Sequence, residues 1–151
     1  MKICFICHAN ICRSFIAQEI LKKLLNEKGF AAEVFSRGIY ADSALRVPGK
    51  IRDFLKEAGV PATPHTATLV SKADMDRADL ILVMESRQLD SLKNMYSQHS
   101  DKMFLVNDYA FGKDQDIEDP IGLNGREFLK TAGALESAVK NIACKITNPK
   151  P

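Results

Sequence analysis

Short apolar segments that suit β-strands alternate with longer amphipathic segments along most of this chain. The longer segments repeat apolar residues every three to four positions, as Ile16, Ile20 and Leu24 do, so each presents one apolar stripe. The short segments are apolar on both faces, which is typical of a parallel sheet buried between two helical layers. The pattern predicts an α/β sandwich, with strands at 2–7, 32–36, 80–84 and 102–106 and helices at 14–28, 48–58, 86–96 and 124–143.

Length and composition agree with one domain of this class. The chain has 151 residues, of which 46% are hydrophobic and 26% charged, and this content is too apolar for a disordered chain. We expect residues 1–151 to form a single domain. No apolar run approaches the ~20 residues of a membrane span, and the first residues resemble a strand rather than an export signal. We therefore expect a cytoplasmic protein with no membrane partner.

The charge balance argues against a nucleic-acid partner. Lys and Arg total 21 against 19 for Asp and Glu, which leaves a formal net charge of +2. This excess is too small to supply the phosphate-neutralising surface that nucleic-acid binding requires. The sequence does not indicate whether the chain associates with a second copy of itself.

The cysteines suggest two cofactor sites that the chain does not support. Cys4 and Cys7, followed by His8, match the haem-attachment pattern, but that chemistry belongs to exported proteins. The same cysteines could bind zinc, yet residues three apart on a strand point to opposite faces. We expect no metal and no cofactor, a reducing compartment, and Cys4 and Cys144 as buried apolar residues.

The loop between the first strand and the first helix carries the strongest chemical signal. In open α/β sheets, ligands bind beyond the carboxyl ends of the strands, where this loop lies. Five residues separate Cys7 from Arg13, enough for the backbone N–H groups to surround a tetrahedral anion at the start of a helix. The sequence predicts a phosphate-binding loop that comprises His8, Ala9, Asn10, Ile11, Cys12 and Ser14.

Cys7 and Arg13 make this loop a candidate catalytic site. The Arg13 guanidinium can donate two parallel hydrogen bonds to phosphate oxygens, and the positive surroundings favour a thiolate at Cys7. That thiolate could attack phosphorus and form a cysteinyl-phosphate intermediate without a metal. Ser14 is close enough in sequence to hydrogen-bond the sulfur, and Asn10 could brace the loop. The expected partners are a phosphorylated protein and inorganic phosphate.

These residues resemble the signature of the low molecular weight protein-tyrosine phosphatases, Val/Ile-Cys-x-Gly-Asn-Ile-Cys-Arg-Ser-Pro-x-Ala-Glu. The likeness extends through most of the chain in length and in the order of strands and helices. It implies a flavodoxin-like three-layer sandwich, with a four-stranded parallel sheet and helices on both faces, and the hydrolysis of protein phosphotyrosine. The coinciding residues are Ile6, Cys7, Asn10, Ile11, Cys12, Arg13, Ser14 and Ala17.

Hydrolysis also needs an acid that protonates the leaving oxygen. The family carries this acid in an Asp-Pro pair, so the resemblance implies Asp119, which precedes Pro120. It also implies that Ser36 and His65 hydrogen-bond the loop from beneath, although His65 is nearly as well explained as an ordinary loop histidine. Chemistry alone leaves Asp114, Asp116 and Glu118 as rivals of Asp119.

Three departures weaken the match to the family. Ala9 replaces a glycine, and if that position is left-handed the methyl group costs ~1–2 kcal/mol. Phe15 replaces a proline in the first helical turn. Ile121 stands where the family usually places an aromatic residue against the substrate ring. The substrate wall would then comprise Ile121 and Tyr40, with Tyr109 and Phe111 as the next candidates.

Other activities use the same kind of loop. Arsenate reductases need two further cysteines near the end of the third strand, and residues 83–89 contain none. Arginine phosphatases carry threonine at the position of Ile11, whose apolar side chain suits an aromatic ring better, so phosphotyrosine is favoured. A noncatalytic phosphate-binding or redox-sensing module, with a reversible Cys7–Cys12 disulfide, is a further alternative.

Overall fold

The computed structural model of the chain describes residues 1–61 and 63–151. The four predicted strands and four predicted helices occur in the predicted order, with three further short helical segments between them. The elements are β1 (Lys2–Cys7), α1 (Arg13–Glu27), β2 (Glu33–Gly38), α2 (Gly49–Glu57), α3 (Lys72–Arg77), β3 (Leu80–Val83), α4 (Ser86–Met95), β4 (Met103–Leu105), α5 (Val106–Phe111) and α6 (Gly125–Thr147), with a short 3₁₀ helix at Ser97–Lys102.

The four strands form one parallel sheet in the order β2-β1-β3-β4. The predicted fold class is therefore confirmed: a four-stranded parallel sheet with helices on both faces. The chain leaves β1 toward β2 on one side, and β3 lies on its other side, so the strand order reverses at β1. Ligands of open α/β sheets bind at such a reversal, beyond the carboxyl ends of the strands. Cys7 ends β1 at this place and pairs in register with Gly38 of β2.

Side chains of β1 alternate between two apolar cores. Phe5 and Cys7 face the core formed with α1 and α6, whereas Cys4 and Ile6 face the core on the other side of the sheet. The expectation that Cys4 and Cys7 point to opposite faces is confirmed. The expectation that Cys144 is buried is wrong: its side chain is exposed because it lies off the stripe by which α6 packs.

Three short helical segments were not predicted from the sequence: α3, α5 and the 3₁₀ helix. Each has six residues, fewer than two turns, so apolar periodicity is too short to show. Ser71 caps the start of α3, where it and Asp74 form a reciprocal capping box. Across residues 1–61 and 63–151, no helix is both long and apolar enough to span a membrane.

Candidate active site

The loop after β1 curls around the sulfur of Cys7. The backbone N–H of Asn10 points at Sγ from 3.3 Å, and Ser14 Oγ lies 3.0 Å from the same atom. Cys7 is only 3% exposed, so its sulfur lies at the bottom of the curl. The loop ends at Arg13, where α1 begins and contributes the positive end of its dipole. This arrangement can stabilise an anionic sulfur and an anion above it.

Asn10 braces the loop from within. Its Nδ2 donates to Ser14 Oγ at 2.8 Å and to Ser36 Oγ at 2.9 Å, and its Oδ1 accepts from the Thr68 N–H at 3.0 Å. Asn10 is fully buried and has a φ of 58°. Asparagine tolerates this left-handed backbone because its short polar side chain bonds locally.

The left-handed position therefore falls on Asn10 and not on Ala9. Among the non-glycine residues that the structure describes, Asn10 alone has a positive φ. The strain anticipated for alanine in place of the family glycine does not arise, because Ala9 adopts an ordinary backbone conformation.

Two chains of hydrogen bonds start at the Asn10 side-chain amide, and the one through Ser14 reaches the Cys7 sulfur. Ser36 Oγ accepts from Asn10 and donates to Gln18 Oε1 at 2.7 Å. Ser14 Oγ also accepts from Asn10, which leaves its own hydrogen free to point at the sulfur 3.0 Å away. Sequence reasoning missed Gln18, although it occupies the position of the glutamate that ends the family signature.

The His65 ring supports the loop by a contact with the loop's backbone. Its Nε2 lies 2.7 Å from the Asn10 carbonyl oxygen, and its ring stacks on Phe15 at a centroid distance of 4.4 Å. Burial lowers the pKa of His65, which favours the neutral ring with its Nε2–H donating to that carbonyl. Phe15, the departure from the family proline, thus forms the surface on which the histidine packs.

Arg13 is buried and joins the loop to two distant segments. Its Nη1 donates to the Glu85 carboxylate and, at 2.7 Å, to the Ile117 carbonyl, while Nη2 lies 3.8 Å from the Asp119 carboxylate. Glu85 and Ile117 were not predicted. Glu85 could have been found from the sequence, because it follows β3 at the carboxyl edge of the sheet.

The structure separates the four acidic candidates. Within the described part of the chain, Asp119 is the one of the four that lies within 4 Å of the Arg13 guanidinium. Asp116 instead accepts hydrogen bonds from the Ser86 N–H and hydroxyl at the start of α4. Asp114 and Glu118 are exposed. The Asp119 side chain is 45% exposed, so its carboxyl group can meet a substrate.

The candidate wall residues lie in different surroundings. Tyr40 is 69% exposed, and its ring lies 5.0 Å from the His8 ring at the edge of the loop. Ile121, two residues after Asp119, is exposed as well. Tyr109, in contrast, packs against Phe104 and the apolar core, so it is a structural residue.

Cys12 is buried, and burial raises the pKa of its thiol. All four cysteines are free thiols in the part of the chain that the structure describes. The described residues contain no group of three or more His, Cys, Asp or Glu side chains placed to hold a metal ion.

Comparison with known proteins identifies the family. Residues 2–150 match the model of the low molecular weight phosphotyrosine protein phosphatases. The chain therefore belongs to this family of protein phosphatases, as its N-terminal signature indicated.

Individual relatives carry two different activities in their names. A protein-arginine-phosphatase of Bacillus subtilis is 27% identical over 95% of both chains. A low molecular weight protein-tyrosine-phosphatase, PtpB of Staphylococcus epidermidis, is 34% identical over 81% of this chain and 82% of its own. The solved structure of a low molecular weight protein tyrosine phosphatase from T. tengcongensis has a TM-score of 0.90 at 29% identity, covering 96% of this chain and 99% of that one.

Proposed function

We propose that this protein hydrolyses phosphotyrosine in proteins through a cysteinyl-phosphate intermediate. The observation that carries the proposal is the convergence on one loop of the Cys7 sulfur, the Arg13 guanidinium and the Asp119 carboxyl group. The Asn10 N–H donates to Cys7 Sγ, Ser14 Oγ lies 3.0 Å from the same sulfur, and the Asp119 carboxylate lies 3.8 Å from Arg13. The proposal treats residues 1–151 as one phosphatase domain.

The first step forms the intermediate. The amide groups of residues 8–12, the start of α1 and Arg13 bind the phosphate oxygens and stabilise the charge that they carry in the transition state. Cys7 Sγ attacks phosphorus in line, the bond to the tyrosine oxygen breaks, and that oxygen takes the proton of Asp119.

The second step releases phosphate. Asp119, now a carboxylate, takes a proton from a water molecule that attacks phosphorus, and the bond to Sγ breaks. Ser14 donates its hydrogen bond to the departing sulfur and so stabilises the thiolate. Asn10, Ser36 and His65 keep the loop in the curled conformation that this chemistry needs.

The rim of the site favours an aromatic substrate. Ile11 adds an apolar side chain to the loop, and exposed Tyr40 beside His8 and Ile121 beside the acid form two further walls for a flat ring. Four free cysteines among the described residues suit the reducing cytoplasm as the place of action.

Phosphoarginine is the second candidate substrate. The arginine-phosphatase relative aligns over nearly the whole chain. The acidic segment 114–119 would also attract a guanidinium group. Arsenate reduction has no such support.

A paired assay on phosphotyrosine and phosphoarginine peptides of the same sequence tests the proposal. We expect faster release of phosphate from phosphotyrosine, with no loss of rate in EDTA. The variant Cys7→Ser should lose turnover but still bind inorganic phosphate, whereas Cys144→Ser, a control at an exposed thiol, should match the wild type. Equal or faster turnover of phosphoarginine would refute the substrate assignment, and full activity of Cys7→Ser would refute the covalent mechanism.

A further inference from the structure

The segment that carries Asp119 is fixed on its upstream side. The Ile117 N–H donates to the Met84 carbonyl at 2.8 Å, and the Ile117 carbonyl accepts from Arg13 at 2.7 Å. Asp119 follows this anchor by two positions. The backbone at Ile117 is therefore held by Met84, which directly follows β3, and by Arg13 at the end of the phosphate loop.

Downstream of Asp119 the chain makes a tight turn. The Leu123 N–H donates to the Pro120 carbonyl at 3.1 Å, and Gly122 has a φ of 91°. Asp119 Oδ1 accepts from the Ile121 N–H at 3.0 Å, so the orientation of the carboxyl group depends on where this turn lies. A shift of residues 120–123 would move the acid with it.

Lys50, in the first turn of α2, holds this turn in place. Its Nζ donates to the Leu123 carbonyl at 2.9 Å and reaches the Pro120 carbonyl at 3.5 Å. The same ammonium group lies 5.0 Å from the centre of the Phe128 ring, within the range of a cation–π contact. One side chain therefore binds both ends of the turn and packs on α6.

The charge of Lys50 also extends to the phosphate loop. Burial raises the pKa of Cys12, and Arg13 and Lys50 are the two cations that oppose this rise. The ammonium group donates its hydrogen bonds to the turn.

We propose that Lys50 is a positioning residue for the general acid, which holds the turn 120–123 so that the Asp119 carboxyl group stays beside Arg13 and the substrate. This inference rests on the proposed function, because it takes Asp119 as the acid. Its specific consequence is that loss of the Lys50 hydrogen bonds impairs protonation of the leaving group more than binding of phosphate.

Three variants test this role. Lys50→Met keeps the apolar stem against Phe128 but removes the donors, Lys50→Arg restores a cationic donor, and Lys56→Met is a control at an exposed position on the same helix. For each, kcat/KM is measured on phenyl phosphate, a poor leaving group, and para-nitrophenyl phosphate, a good one. Competitive inhibition by inorganic phosphate reports binding to the loop.

We expect Lys50→Met to lose about tenfold or more on phenyl phosphate, part of the roughly 10²–10⁴-fold that a general acid contributes. On para-nitrophenyl phosphate the loss should be under about threefold, because a good leaving group needs little protonation. Lys50→Arg should recover most of the activity on phenyl phosphate, and Lys56→Met should match the wild type. In an Asp119→Asn background, Lys50→Met should have no further effect.

Several outcomes would overturn the inference. Equal losses on both substrates, weaker phosphate inhibition alone, or additive effects of Lys50→Met and Asp119→Asn would each show that Lys50 does not act through the acid. Absence of any phosphatase activity in the wild type would instead refute the proposed function. Thermal unfolding of each variant distinguishes these outcomes from misfolding, and Lys50→Arg provides the test if Lys50→Met does not fold.

Discussion

Replacement of Asn10 by alanine should destabilise the whole protein, because this one side chain joins three segments. The substitution removes hydrogen bonds to Ser14, Ser36 and Thr68. At about 0.5–1.5 kcal/mol each, the three bonds contribute roughly 1.5–4.5 kcal/mol. Alanine also has to adopt the φ of 58°, which adds ~1–2 kcal/mol. The free energy of unfolding should therefore fall by about 2.5–6.5 kcal/mol.

Asn10→Gly separates the two contributions. Glycine loses the same hydrogen bonds but adopts the left-handed backbone freely, so it should be more stable than Asn10→Ala by about 1 kcal/mol. Asn26→Ala, an exposed asparagine in α1, is the matched control and should change stability by less than ~0.5 kcal/mol.

Urea unfolding followed by circular dichroism measures these differences, provided that the slopes of the transitions stay equal. A loss below 1 kcal/mol for Asn10→Ala would refute the bracing role of the side chain. An alanine variant more stable than the glycine variant would refute the backbone part of the reasoning.

Three further substitutions test other contacts. Glu85→Ala removes the carboxylate that accepts a hydrogen bond from Arg13. Because a charged hydrogen bond contributes about 1.5–3 kcal/mol, kcat/KM on an aryl phosphate should fall roughly 10–100-fold. An unchanged kcat/KM would show that Arg13 keeps its orientation without Glu85. Burial lowers the pKa of His65 in the folded chain, so as the pH falls below about 6.5 the histidine of the unfolded chain is protonated first and the free energy of unfolding decreases. Urea titrations at several pH values should show a shallower decrease for His65→Gln than for the wild type. Identical pH dependences would contradict this reasoning. Gly38→Ala would place a Cβ 2.8 Å from the His8 carbonyl oxygen. The free energy of unfolding, measured in urea, should therefore decrease by roughly 1–3 kcal/mol. An unchanged free energy of unfolding would show that the loop accommodates the methyl group without cost.

Much of the fold could be predicted from the sequence because long segments impose their own period. The stripe of Ile16 and Ile20 in α1 and the apolar run of β3 each repeat often enough to indicate the element. The six residues of α5 are too few to do so, and they form a helix at the place where β4 ends. Cys144 was misjudged because hydrophobicity alone does not say on which side of a helix a residue lies.

In the candidate site, too, local features could be predicted from the sequence and long-range contacts could not. The spacing of Cys7 and Arg13 within one loop is visible in the sequence, because local backbone geometry sets it. The sequence could place Glu85 at the carboxyl edge of the sheet, but not its contact with Arg13, which lies 72 positions away. Lys50 lies 70 positions from Pro120, so its role depends on where whole elements meet. The positive φ at Asn10 was also not foreseen, because the signature drew attention to the neighbouring Ala9.

The bond between Arg13 and the Ile117 carbonyl has a consequence for biosynthesis, since 104 positions separate its two residues. The ribosome makes Cys7 and Arg13 early, but the carbonyl that accepts a hydrogen bond from Arg13 is made 104 positions later. Helix α6, which covers the same core as α1, comes last of all. In a nascent polypeptide the Cys7 thiol is therefore present before the contacts that surround Arg13 in the folded protein can form.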